Sequence, residues 1–86
     1  MKLKKELICR DIAGEYFLVP VGKSVYDTNG LFAMTELGGF LWNLLPEAES
    51  ADDLVKAVLA DYEVDEATAR ADILEFLQKL ENLGIL

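Results

Sequence analysis

The 86-residue sequence has no histidine, a single cysteine, and eight lysines and arginines against sixteen aspartates and glutamates. Each shortage removes a class of function. Without histidine, the usual zinc sites, the Ser–His and Cys–His nucleophiles and the commonest general base are all unavailable. Cys9 alone can form neither an internal disulfide nor a thiolate metal cluster, and no histidine is present to activate it. It is expected to be a small, half-buried strand residue. Any catalysis would rest on carboxylates, lysines or tyrosines. Adjacent acids such as Asp52 and Asp53 point apart on a helix and cannot share a proton. The chain is therefore expected to be no enzyme and to need neither cofactor nor metal.

Long apolar runs are also missing. None approaches the roughly 20 residues that cross a bilayer, and no signal-peptide segment follows the basic start Met1-Lys2-Leu3-Lys4-Lys5-Glu6. A cytosolic location is the expectation. Apolar residues make up 52% of the chain, which suits a folded domain. Eighty-six residues make one domain, 1–86, with a modest core and no deep catalytic cleft.

The charge is unevenly spread. Residues 1–23 hold five Lys/Arg and three Asp/Glu, a balance of +2. Residues 24–86 hold three and thirteen, a balance of −10, and the two sum to −8. So acidic a surface repels phosphate backbones and anionic lipid, so neither nucleic acid nor a membrane is an expected partner.

The front of the chain is β-prone. Leu7–Ile12 and Tyr16–Val21 flank Ala13-Gly14-Glu15 and predict a hairpin, with Ile8, Arg10 and Ile12 on one side of the first strand. Pro20 belongs at a strand end or an edge. Gly22-Lys23-Ser24 and Asp27-Thr28-Asn29-Gly30 are turn signals, and Leu31-Phe32-Ala33-Met34 is a third short strand.

Three helices follow. Thr35 caps the first, whose Leu37, Phe40, Leu41, Leu44 and Leu45 form one apolar stripe ending at Pro46. Its Gly38-Gly39 pair, costly in a helix, predicts close packing on the sheet. Ser50 with Asp53 three residues later has the capping-box pattern for the second helix, which buries Leu54, Val55, Val58 and Leu59. Asp65 caps the third, running from about Glu66 to Leu83 before Gly84. The expected class is α+β, a three-stranded antiparallel sheet followed by three helices in a winged helix-turn-helix-like arrangement.

Two features offer a surface to a partner. On the third helix Ala69, Ile73, Phe76, Leu77, Leu80 and Leu83 span roughly 120°, and Leu74 widens the arc to about 180°, beyond the ~100° a core-facing stripe needs. Either the helix is sandwiched within the core or one flank lines a groove. A DNA-reading helix would be basic here, yet Arg70 and Lys79 face Glu66, Asp72, Glu75 and Glu81. The strand Leu31–Met34, between a turn and a helix, is placed to be a sheet edge that accepts an added strand. Alternatively the basic N-terminal arm covers that edge, or solvent does. An exposed apolar edge can also pair with a second copy, giving a homodimer.

The order of elements resembles the PqqD family. The resemblance lies in Met34-Thr35-Glu36-Leu37-Gly38-Gly39-Phe40-Leu41-Trp42, in Leu54-Val55 ahead of Tyr62-Glu63-Val64-Asp65, and in Asp72-Ile73-Leu74-Glu75-Phe76-Leu77-Gln78-Lys79-Leu80. It covers nearly the whole chain, on motifs that are individually weak and specific only in their order. The family often has Asn before the Glu that starts the first helix, where this chain has Thr35.

The resemblance implies a RiPP recognition element, a domain serving ribosomally made, post-translationally modified peptides. Such a domain binds a precursor leader peptide and presents it to a maturase, often a radical SAM protein. The leader adds to the third strand and lies against the third helix. Carried over, this implies Leu31, Phe32, Ala33 and Met34 on the strand and Ile73, Phe76, Leu77 and Leu80 on the helix. Arg70 would meet leader carboxylates. The residues alone leave open which flank of the helix faces the peptide. They equally allow a regulatory or structural interaction domain without a modified peptide.

Overall fold

The computed structural model describes residues 1–27 and 30–86. Two strands, β1 (Leu7–Ile12) and β2 (Glu15–Pro20), form an antiparallel hairpin, with Ile12 opposite Glu15. Only Ala13 and Gly14 lie between those partners, and both have positive φ, 53° and 84°. That is the pattern of a type I′ turn, whose twist matches the strands. The Asp11 carboxylate accepts a hydrogen bond from the Gly14 N–H (3.0 Å) and closes the turn.

A single helical turn, α1 (Ser24–Asp27), follows where the sequence suggests only a loop. Ser24 anchors it, since its buried hydroxyl accepts the Glu6 N–H at 2.7 Å. The predicted turn at Asp27-Thr28-Asn29-Gly30 includes residues 28 and 29, which lie outside the described residues. The third strand, β3 (Phe32–Met34), pairs antiparallel with β2 and completes a sheet of order β1-β2-β3. It starts one residue later than the sequence suggests, leaving Leu31 just before it.

Helix α2 (Glu36–Leu44) is capped as expected, the Thr35 hydroxyl accepting the Gly38 N–H at 3.0 Å. Its glycine pair is buried, and a Cβ on Gly39 would lie 3.3 Å from a Tyr16 ring carbon and 3.4 Å from the Cys9 sulfur. The close packing on the sheet is thus real, and it is made by the inner face of β1 and β2. Gly39→Val is expected to lower unfolding stability by about 1–3 kcal/mol, because extra methyls must push the helix off the strands. Chemical denaturation would detect it.

Helix α3 (Ala51–Asp61) starts differently from the sequence expectation. Ser50 is extended but its side chain makes no cap bond. The Asp53 carboxylate instead accepts the Glu49 N–H at 2.9 Å, one residue beyond the capping-box position. Helix α4 (Glu66–Asn82) opens on Asp65, whose carboxylate accepts the Thr68 N–H at 3.4 Å. Hydrogen bonding from Thr68, first by its side chain and then by its N–H, holds the Asp65 pKa below its usual value. At the other end Gly84 has φ 76°, the Gly84 N–H donates to Glu81 O (3.0 Å) and the Ile85 N–H to Leu80 O (2.9 Å). Those two bonds form a Schellman motif, which also buries Ile85 beside Leu80.

The core lies between the sheet and the helices. Leu18 from β2, Leu41, Trp42 and Leu45 from α2 and its end, Leu54, Val55 and Val58 from α3, and Ala69, Ile73, Leu77 and Leu80 from α4 are all buried. Leu59, expected on the buried face of α3, is exposed. Among the described residues no helix is long and apolar enough to cross a membrane.

Candidate functional site

The hydrogen-bond alternation of the sheet decides what β3 offers. In a two-residue hairpin the residues flanking the turn exchange both main-chain bonds, so Ile12–Glu15 is a bonded pair, and bonded pairs recur every second residue. Odd-numbered positions of β2 therefore bond to β1, a pattern continued by the Val21 N–H donating to Glu6 O at 2.9 Å. Tyr16 and Leu18 then turn their backbone groups to β3, opposite Met34 and Phe32. Pro20, which lacks an N–H, falls where β1 demands none.

The Ala33 N–H and C=O consequently point away from the sheet. Among the described residues no backbone hydrogen bond reaches that outer edge. The basic N-terminal arm does not cover it. The arm is bonded to helix ends instead: the Lys4 N–H donates to Ile85 O (2.7 Å), Lys5 Nζ to Leu83 O (3.4 Å), and the Met1 amino group to the carbonyls of Leu45 and Ala48.

A groove of about 660 Å³ lies along this edge. Phe32, Ala33 and Met34 form one wall and Phe76, Leu80 and Leu83 of α4 the other. Leu18 lies at its base, and Leu37, Gly38 and Leu41 of α2 close one side. Asp72, Glu75 and Lys79 also line it, all exposed on α4. From Asp72 to Leu83 the helix rises about 16 Å, the length of about five strand residues. An apolar trough of that length beside an open strand edge suits an extended chain with alternating apolar side chains. A second concavity of about 380 Å³ touches Ala33 and Met34 from the opposite face, bordered by Glu15 and Glu36.

The site residues expected from the sequence separate into two groups. Phe32, Ala33, Met34, Phe76 and Leu80 meet in the groove. Ile73 is wholly buried and Leu77 nearly so, both within the core, and neither lines the groove. Leu31 is exposed beside the strand, outside the groove lining. Arg70 lies about 120° round the helix from Phe76, facing α3. There its guanidinium donates to the Asp52 carboxylate at 2.8 Å and lies 3.7 Å from Glu66. The bond to Asp52 raises the Arg70 pKa, so the group is already engaged with acids of its own chain.

The wide arc of α4 is thereby resolved. Its centre, Ala69, Ile73, Leu77 and Leu80, enters the core, while Phe76 and Leu83 form the groove flank. Leu74, 52% exposed, is on the far side. The residues missed from sequence include Leu18, Leu37, Leu41, Asp72, Glu75, Lys79 and Leu83. A signal existed for some of them, since Asp72, Lys79 and Leu83 share the helix face of Phe76 at spacings of four, three and seven.

Cys9 lies beneath α2 against Gly39, and burial, followed by the Asp11 charge, raises its thiol pKa. At neutral pH it stays protonated and weakly nucleophilic. Among the described residues no cluster of three or more acids or cysteines is arranged to hold a metal.

Among solved structures, the chain is similar to TbiB1 in complex with the TbiA(beta) leader peptide, with a TM-score of 0.72 and 29% identity over 95% of this chain and 90% of that one. It is also similar in fold to lasso peptide synthetase B1 complexed with its leader peptide, with a TM-score of 0.73 and 19% identity over 98% and 93% of the two chains. No curated protein matches the sequence. The family model described as coenzyme PQQ synthesis protein D matches residues 15–86, from the second strand through the last helix. On that match, which includes the open strand and the helix facing it, the chain belongs to the PqqD family.

Proposed function

We propose that this protein binds the leader of a ribosomally made precursor peptide by strand addition to β3 and presents the peptide to a modifying enzyme. The carrying observation is the open edge at Ala33 beside an apolar groove between Phe32, Met34 and Phe76. The leader peptides bound to the similar TbiB1 and lasso synthetase structures support the same reading. Main-chain bonds to the edge would set register, and side chains on one face of the guest would fill the groove.

The protein itself contributes binding and orientation, without a catalytic step. The lack of histidine and the protonated, packed Cys9 support that assignment. The modifying enzyme is a separate partner, a radical SAM maturase or another class, and the complex works in the cytosol. The same edge, when empty, would be the surface through which two copies pair as a homodimer.

The direct test is titration of the ¹⁵N-labelled protein with the leader segment of a candidate precursor peptide from the same genome, alongside calorimetry. Shifts should concentrate at Leu31–Met34, Phe76 and Leu83. Absence of binding at high micromolar leader, with those resonances unmoved, would count against the proposal.

A further inference from the structure

The groove is apolar in its depth but not at its rim. Asp72 and Glu75 line it on α4, and Glu15 and Glu36 border the concavity on the opposite face of β3. Lys79 is the one cation among the residues lining either, so the lining carries four acids and one base, a balance of −3. Among the described residues the ion pairs belong to Arg70 alone, so these rim charges make no ion pair there.

The charges are also ordered along the groove. Lys4 and Lys5 bond to Ile85 and Leu83, which places the C-terminal end of α4 at the end of the sheet where Leu7 pairs with Pro20. Phe32, opposite Leu18, is the β3 residue nearer that end. Lys79 therefore accompanies the Phe32 end, while Glu75 and Asp72 lie about 6 Å and about 10 Å further along α4, toward Met34. Glu36 follows Met34 by two residues, and Glu15 adjoins its β2 partner Tyr16.

Resting on the peptide-binding proposal above, we infer that the groove selects an extended peptide with basic side chains beside its apolar anchors, at the Met34 end of β3. Successive residues of an added strand point to opposite faces. A cation on the groove face meets Asp72 and Glu75, and one on the outer face meets Glu15 and Glu36. A guest carboxylate is admitted at the Phe32 end, beside Lys79, and repelled elsewhere. Apolar contact supplies most of the affinity, and the rim charges discriminate among guests.

The test is selection of a displayed random 12-residue peptide library against the whole protein. Groove binders are defined as those lost on the Ala33→Pro protein. Their ratio of Lys/Arg to Asp/Glu should exceed that of the input library by about threefold or more, the effect of a few partly exposed charge pairs. In D72K/E75K the bias should vanish or invert. D61K/E63K makes the same change of net charge at exposed positions away from the groove and should keep the bias.

Three results would overturn the inference. Groove binders without a basic bias would sink it while leaving peptide binding intact. An equal change of bias in both double variants would assign the effect to overall charge. No groove binders at all would overturn the peptide-binding proposal, and this inference with it.

Discussion

Ala33→Pro is expected to weaken binding of the leader peptide by about ten- to a hundredfold while leaving the protein folded. Ala33 is the central residue of β3, and its N–H and C=O face the open edge. Proline has no N–H, so one bond to the guest strand is lost and the guest carbonyl loses its partner on a desolvated surface. That costs about 1–3 kcal/mol, and the ring additionally obstructs close approach of the guest strand. The ladder to β2 is made by Phe32 and Met34, so the sheet keeps its own bonds, and proline at an outward edge position is tolerated. Thermal melting should change little, whereas calorimetry with the leader should show the loss. Ala33→Thr, which keeps the N–H and suits a strand, should bind nearly as the parent does. Unchanged affinity in the proline variant would remove strand addition at this edge from the mechanism.

Truncating neighbouring residues on α4 should separate folding from binding. Ile73 is fully buried between the sheet and the other helices, so Ile73→Ala leaves a cavity and is expected to cost about 2–5 kcal/mol of stability. Binding measured on the folded fraction should stay within about threefold. Phe76 is half-buried and forms the groove wall facing β3. Phe76→Ala should cost only about 1 kcal/mol of stability, but should lower leader affinity by about thirtyfold or more, as expected for a central aromatic anchor. Denaturation and calorimetry on both variants check the pair. The opposite pattern, with binding lost at Ile73 and kept at Phe76, would mean that α4 presents its other flank.

These two experiments bear on what the sequence conveyed about the site. The existence of the edge strand was legible in Leu31–Met34, although the strand itself begins at Phe32, because a short apolar run between a turn and a capped helix has few other uses. The helix pattern was legible too, since Ala69, Ile73, Phe76, Leu77 and Leu80 recur at helical spacing. Periodicity gives only an angle about the helix axis, however, and says nothing of where the sheet sits. Ile73 and Leu77 therefore looked as eligible as Phe76, although packing turns them inward. Arg70 looked like a free cation because its partner, Asp52, is eighteen residues away on another helix. Capping followed the same division. Thr35 and Asp65 bond to N–H groups three residues ahead as their local sequence suggests, whereas the Asp53 carboxylate takes the Glu49 N–H in place of the Ser50 cap.

By itself, the sequence determined the α+β order of elements, the hairpin, the tight helix-on-sheet contact at Gly39 and the lack of histidine chemistry. Apart from the Gly39 contact, which reaches Tyr16 and Cys9 and shows in the sequence only as a costly glycine pair within a helix, these follow from composition or from interactions within a few residues along the chain. Only the tertiary structure decided that the N-terminal arm leaves β3 uncovered, that Phe76 and Leu83 face it, and that Asp72, Glu75 and Lys79 share its rim. The reason is physical. A binding groove is the space left between elements after the core has packed, so its walls depend on how β3 and α4, more than thirty residues apart, settle against the same buried leucines. The missing histidine removed the imidazole-based chemistries and nothing more. The packing of α4 against the sheet then determined which surface is left to bind.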